Sequence, residues 1–422
     1  MEETIFVQIA AYRDSELIPT VKNCLAQAEH PERLHISIGW QHSPDENVDE
    51  IANLENVTIV SYPHTVAKGP CWIRRAIQEE YKDETYTLQL DSHHRFIKNW
   101  DTEIIAMYKG LIADGVKKPI ISSYLPSYEP KNDPANRTID IWQVNYDRFI
   151  PEGPIFQRPS TIKNWETLTK PVPARTISAH FLFTRGQWIK EVPYDSQLYF
   201  HGEEITLAVR SYTHGYDLFH PHKIIAWHQY TREGQRKHWD DSSMWNNLNM
   251  YSYARVKMLL GIDGVDNKLA KFEETNTGLG TERTLSQFER YAGVEFKTRK
   301  LHKDTVAEIL PPINFQDEET FQKNLCSVFK HCLDVFKPEV PLRDYTFWAI
   351  SFQDRLGNDL YRQDADLAEI ERAMFENPND KFAHIWREFS TNERPYKWVV
   401  WPYSKSKDWL TDRIETVINY GN

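Results

Sequence analysis

The sequence predicts an α/β fold with a central, mainly parallel sheet, followed by a smaller β-rich domain. Three observations carry this. The first third alternates short apolar runs with stretches of helical spacing, and parallel strands need crossover connections of that kind. The last third changes character: residues 344–353 alternate along a strand, 355–358 make a turn, and 359–362 return, as in a hairpin. The chain has 422 residues, too many for one ordinary core, and its 40% hydrophobic and 26% charged content is that of a globular protein. We place the division at residues 1–304 and 305–422.

The elements follow in order. Residues 4–10 (TIFVQIA) form a short buried strand. Residues 15–28 carry Leu17, Ile18, Val21, Cys24 and Leu25 at helical spacing, with Ser15 as a cap and Asp14 and Glu16 favouring the positive end of the helix dipole. Strands are expected at 34–40, 57–62, 86–90 and 119–124, with helices at 69–81 and 100–111. Residues 126–173 are rich in Pro, Asn and Asp and suggest loops and hairpins, including a strand at 138–144. A strand at 177–184, a helix at 203–214, a strand at 223–227 and a helix at 242–260 follow. A short helix at 367–375 and an aromatic strand at 397–402 complete the last third.

Composition narrows the function classes. The formal charge of −11 repels nucleic-acid backbones and anionic membranes, so neither is expected as a main partner. A bound divalent ion can still neutralise a diphosphate locally. Four cysteines, far apart or on candidate helices and without a CxxC pair, argue against a disulfide framework and against a structural zinc site. No apolar run is long enough to span a bilayer, and the acidic start Met1-Glu2-Glu3-Thr4 does not resemble a signal peptide. A reducing, cytoplasmic location is the expectation.

In an α/β sheet, ligands gather at the carboxyl ends of the strands. There the sequence places Asp91-Ser92-His93-His94, directly after the strand 86–90. Asp91 and His93, two apart, can ligate one ion, and carboxylate plus imidazole suits manganese or a similar first-row metal. The pair reads equally well as a turn that caps the next helix. Glu203 and Glu204 open a helix; acids there favour the helix dipole, or one accepts a hydrogen bond from a sugar or acceptor hydroxyl. His228, at a strand end, gains meaning only in combination with Asp91 and His93. Lys68, Arg74 and Arg75 around a helix start suit a diphosphate, or are solvated surface charge. Residues 230–238, which include Arg232, are polar and contain a glycine, as expected of a lid over a diphosphate.

These motifs, in this order, resemble the cytoplasmic hydroxyproline N-acetylglucosaminyltransferases, which share the GT-A fold and an Asp-x-His metal motif with polypeptide GalNAc-transferases. The matching stretches are FVQIAAYRD (6–14), AKGPCWIRR (67–75), LQLDSHHRF (88–96), SAHFLF (178–183), FHGEEITLAVR (200–210), THGYDLF (213–219) and GLGTERT (278–284). The resemblance implies Mn2+ or Mg2+ held by Asp91, His93 and His228, gripping the phosphates of a UDP-sugar, with UDP-GlcNAc the implied donor. It implies a nucleotide-binding set of Ala10, Tyr12, Arg13, Lys68, Arg74, Arg75, Ser92, His94 and Arg232. It also implies transfer with retention to a protein or glycan hydroxyl, with Glu203 or Glu204 positioning the acceptor or sugar. Residues beyond about 305 have no counterpart in it, and the acceptor and oligomeric state stay open.

Rival readings are a bacterial surface-polysaccharide transferase using another UDP-sugar, a sugar-nucleotide pyrophosphorylase, a non-catalytic carbohydrate-binding protein and a metal-dependent hydrolase. The first-strand loop Ala10-Ala11-Tyr12-Arg13-Asp14 lacks the glycine that a pyrophosphorylase needs. A hydrolase usually needs more ligands than this set offers.

Overall fold

The computed structural model describes residues 3–232, 234–265, 272 and 275–419. The chain forms two compact units. The first takes residues up to 146, 152–298 and 304–315; the second takes 147–151, 299–303 and the chain from 316.

The first unit is built on an eight-stranded sheet. Its strands in chain order are β1 (Ile5–Tyr12), β2 (Leu34–His42), β3 (Val57–Pro63), β4 (Tyr86–Asp91), β5 (Pro119–Ser122), β6 (Val172–Pro173), β7 (Phe181–Arg185) and β8 (Asp217–His220). They lie in the order β3-β2-β1-β4-β7-β5-β8-β6. The pairs β1/β2, β2/β3, β1/β4 and β5/β8 are parallel, whereas β7 runs antiparallel to both neighbours and β6 antiparallel to β8. The central strands read as near-continuous apolar runs because both faces are covered. Val7, Ile9, Leu88, Leu90, Phe181 and Phe183 are all fully buried. The helices that matter for the site are α1 (Leu17–Gln27), α2 (Pro70–Gln78), α3 (Trp100–Ala113), α4 (Glu203–Thr213) and α5 (Trp245–Leu260).

The strand expected from 177 begins at Phe181. Local side-chain bonds compete with the ladder before it. Ser178 N–H donates to Ser122 Oγ, and the Ser178 hydroxyl meets His180 Nδ1 at 2.9 Å. The strand expected at 138–144 lies later, at Trp142–Phe149.

The second unit is β-rich. Its longest strand, Leu325–Phe336, pairs antiparallel with Phe382–Thr391 over ten residue pairs. Phe382–Thr391 alternates exposed and buried along its whole length. The expected hairpin is present: Tyr345–Gln353 pairs with Asp359–Arg362, and also with Lys397–Ser404. Leu333, Val335, Trp348, Ile350, Phe352, Ile385 and Val400 form its core. The helix Leu367–Phe375 is capped by Asp366, whose side chain accepts from Glu369 N–H. Among the described residues, no helix is long and apolar enough to cross a membrane.

Candidate active site

Strand β1 pairs β2 on one side and β4 on the other, so the chain order reverses there and the carboxyl ends leave a crevice. Ala10 of β1 faces Asp91 of β4 across it. After Asp91 the chain turns through Ser92 and His93 into the short strand His94–Phe96. That strand pairs antiparallel with Ala226–His228, in the register His94↔His228. The pairing, extended by Gln229 N–H donating to the His93 carbonyl, brings a histidine from late in the chain to the end of β4.

The donor atoms of Asp91, His93 and His228 all lie within 4.8 Å of one another. His228 Nε2 is 3.5 Å and His93 Nε2 3.9 Å from Asp91 Oδ2. Neither Asp91 nor Ser92 caps α3, whose N-terminal neighbour is Asn99. The capping alternative therefore fails.

A surrounding shell fixes these groups. Asp14 accepts from Ser92 Oγ at 2.6 Å and from His93 Nδ1 at 2.7 Å. Burial works against its charge, and the bond and charge of His93, Arg232 nearby and the Ser92 bond hold its carboxyl below the usual range. An ionised carboxylate only accepts, so His93 Nδ1 carries a proton and donates to Asp14, which turns Nε2 toward Asp91. Arg74, on α2, is buried; it donates to Asp91 Oδ1 at 2.5 Å and to the Leu90 carbonyl at 3.0 Å. Burial opposes the charge on Asp91 too, yet the His228 contact and the Arg74 and His93 charges hold its carboxyl well below the ordinary value.

Burial pushes His228 down to about 4, so its ring is neutral. Both of its ring nitrogens are buried without a hydrogen-bond partner. Its ring stacks on His180, centroids 4.1 Å apart. A buried polar atom left unpaired is costly unless something meets it. Neutral imidazole nitrogens beside an ionised carboxylate form a donor set that fits a first-row divalent ion.

The three residues line a cavity of about 880 Å³. Ala10, Tyr12, Arg74, Ser92, Arg232, Glu203 and Glu204 also line it. Glu203 and Glu204 occupy the first turn of α4, and both point inward. Glu204 accepts from Ala179 N–H at 3.0 Å and from the Tyr124 hydroxyl at 2.9 Å, and burial pushes its carboxyl up to about 7. Glu203 Oε1 lies 3.5 Å from Arg74 Nε, and neither atom has a hydrogen-bond partner. Gly69, just before α2, has φ +93°, and a Cβ there would meet the Tyr199 carbonyl oxygen at 2.2 Å. Only glycine allows that approach.

Four expected nucleotide contacts do not line the cavity. Lys68 is exposed and Arg75 half-buried, both turned elsewhere. Arg13 instead bonds Asp241 at 2.8 Å. His94 is fully buried, its Nδ1 against the Asp91 carbonyl at 3.1 Å, so it shapes the turn from within the core. Arg74 lines the cavity, but its guanidinium is committed to Asp91 and Leu90. The 230–238 segment reaches the first-strand end: Arg232 lies 3.4 Å from Asp14, and His238 Nδ1 meets the Tyr199 hydroxyl at 2.7 Å. Glu233 lies outside the described residues.

Sequence reasoning gave Asp14 only a helix-dipole role and His180 none. The signal for both is position: Asp14 follows the first strand end, and His180 precedes a buried strand inside the SAHFLF stretch. Nothing local marks Tyr124.

A search of curated proteins finds no match. Among solved structures, the chain is similar to GalNAc-T7 in complex with UDP, GalNAc and Mn2+, with a TM-score of 0.53 and 13% identity over 99% of this chain and 72% of that one. That likeness shows the GT-A fold. It is also similar to S. aureus TarS 1–349 in complex with UDP-GlcNAc, with a TM-score of 0.36 and 14% identity over 57% of this chain and 61% of that one. The model of the family described as "Glycosyltransferase (GlcNAc)" matches residues 4–50 and 43–298, well over half of the sequence. The chain therefore belongs to this glycosyltransferase family and is a glycosyltransferase.

Proposed function

We propose that the protein transfers a sugar, N-acetylglucosamine first among candidates, from a UDP-sugar to a hydroxyl of a protein or glycan, with retention. The observation that carries this is the convergence of Asp91, His93 and the unpartnered nitrogens of buried His228 at the switch point of the sheet. The family match and the likeness to the UDP-complexed GalNAc-T7 structure support the donor class. The hydroxyproline-specific acceptor implied by the resemblance is the finer form of the same reading.

Asp91, His93 and His228 would hold Mn2+ or Mg2+, which when bound supplies Lewis-acid stabilisation of the departing diphosphate. Asp14 keeps His93 in the tautomer that offers Nε2. Arg74 holds Asp91 charged and aimed. Arg232, close to the Tyr12 carbonyl, adds positive charge on the nucleotide side of the cavity. Glu203 Oε1, buried beside Arg74 but without a hydrogen-bond partner, accepts a hydrogen bond from a sugar hydroxyl. Glu204, both oxygens engaged, orients the Tyr124 side of the pocket. Neither glutamate is assigned as a covalent nucleophile. We favour same-face attack, in which the acceptor oxygen bonds the anomeric carbon as the sugar–phosphate bond breaks and its proton passes to the leaving phosphate. Trp142, Phe156 and Trp239 line the cavity and offer ring faces to an acceptor.

We assign catalysis to residues 1–304 and an accessory, acceptor-directed role to 305–422. Four unpaired cysteines support a reducing, cytoplasmic setting. The test is a UDP-sugar panel with Mn2+, reading UDP release with water as the default acceptor. UDP-GlcNAc should turn over fastest and chelator should stop it. Release of UDP from no UDP-sugar overturns the reading.

A further inference from the structure

The second unit carries another constellation of ligating side chains. In the strand pair Leu325–Phe336 and Phe382–Thr391, Asp334 lies directly opposite His384, and Cys332 is two residues before Asp334. The period of two puts Cys332 and Asp334 on one face, and the register adds His384 to it. Asp334 Oδ1 is 3.3 Å from Cys332 Sγ and 2.8 Å from His384 Nδ1, and Sγ and Nδ1 are 3.8 Å apart. One thiol, one imidazole nitrogen and one carboxylate oxygen thus converge on a single point. Among the described residues, this group and Asp91-His93-His228 are the two sets of three or more His, Cys, Asp or Glu side chains with such spacing.

A fourth residue orients the set. Asp380 Oδ2 lies 3.0 Å from His384 Nε2. A carboxylate on the far ring nitrogen holds a proton there and frees the near nitrogen to ligate, the arrangement found behind most metal-bound histidines. Tetrahedral zinc, with bonds of about 2.0–2.3 Å, separates neighbouring ligand atoms by about 3.3–3.8 Å. Two of the three distances already fall there, and the third opens once Nδ1 and Oδ1 no longer share a proton.

A nucleophilic role for Cys332 fits less well. Partial burial and the Asp334 carboxylate push its thiol up to about 12, which disfavours the free thiolate. A divalent cation reverses that balance, because a coordinated thiol is deprotonated outright.

We propose that Cys332, Asp334 and His384, oriented by Asp380, form a second metal site that takes a zinc-class divalent ion and clips the two strands together. It is separate from the Asp91 site in ligand chemistry, since only this set contains sulfur. The site does not depend on the transferase reading.

Cobalt(II) added to the metal-stripped full-length protein is the test. A thiolate-to-cobalt charge-transfer band is expected in the wild type and in Asp91→Ala, and is expected to be absent in C332S and strongly weakened in H384A. Zinc should abolish the band by displacement and, in the Asp91→Ala background that removes the other metal set, raise the unfolding midpoint with Cys332 present but not with C332S added. Absence of the band in the wild type, or its persistence in C332S, overturns the proposal. Circular dichroism on each variant confirms that the strands are formed.

Discussion

The two ligand clusters use similar side chains in opposite environments. At the end of β4, His93 and His228 keep 6–7% of their side-chain surface and Asp91 33%. On the strand pair of the second unit, His384 keeps 45% and Asp334 59%. Burial leaves His228 neutral, whereas Asp380 and Asp334 raise the basicity of His384. A buried imidazole presents its lone pair without a competing proton, and an exposed one must first lose its proton. The deep cluster also gathers residues from distant parts of the chain into one cavity, while the surface cluster needs only one strand register. Depth suits chemistry on a desolvated substrate, and a surface clip suits stability.

The sharpest break between the two is Asp91→Ala. Loss of the ligand shared by both imidazoles should remove several kcal/mol of transition-state stabilisation, about 100-fold or more in kcat, with the fold intact. C332S should leave kcat unchanged. Steady-state UDP release measures both, and an Asp91→Ala enzyme within tenfold of wild type would end the metal assignment of the deep cluster.

Stability should follow the same contrast. Arg74 is fully buried between Asp91 and Glu203. Arg74→Met leaves Glu203 buried and uncompensated, which typically costs about 3–5 kcal/mol. Because a third of the Asp91 side chain stays open to solvent, the lower end applies. Denaturant unfolding gives the value, and a loss below 1 kcal/mol would mean that the guanidinium is not what holds the two acids.

A smaller, pH-dependent effect belongs to Glu204. Its folded carboxyl sits at about 7 against an ordinary 4.5, so the unfolded chain releases the proton first. Stability is therefore complete below about 4.5, falls as pH rises toward 7, and is flat above. Glu204→Gln mimics the protonated form. It should match wild type at pH 4.5 and exceed it by about 2–3 kcal/mol at pH 8. Parallel curves at the two pH values would remove the burial argument.

Much of this was legible in the sequence, for definable reasons. Apolar runs and helical spacing located β1 to β4, α2 and α3 because those elements are buried on the faces their patterns mark. The hairpin at 345–362 showed through its turn chemistry, and the helix Leu367–Phe375 was placed without its Asp366 cap being read. Asp91, His93 and His228 were found as types at strand ends; their meeting depends on the register of His94 with His228, which no local pattern encodes. Arg74 was expected at a diphosphate, but the pairing that commits it to Asp91 is tertiary. The strand Leu325–Phe336 was missed because polar Ser327 and His331 stand on its inward-facing parity while apolar Val328 and Phe336 stand on the outward one, which blurs the alternation. The outward face, with Cys332 and Asp334, is the one worth testing.

The finest contrast concerns how each cluster aims its imidazole. Asp14 does this for His93 in the core, and Asp380 does it for His384 at the surface. A carboxylate behind a ligating histidine is typically worth about 10–100-fold in metal affinity. Asp380 is half-buried, with 31% of its side-chain surface open, and four residues from its partner, so water reaches and replaces it more readily than at a sealed site and the lower end is expected. Asp380→Ala should weaken cobalt binding at the second unit roughly tenfold while keeping the thiolate band, because Cys332 still ligates. Asp14→Ala should instead cost the deep cluster both the His93 tautomer and the Ser92 bond, with no water able to enter at the 0% exposed Asp14 side chain. Titrating each variant with cobalt separates the cases: equal losses in the two would show that burial adds nothing to how a carboxylate holds a ligand histidine.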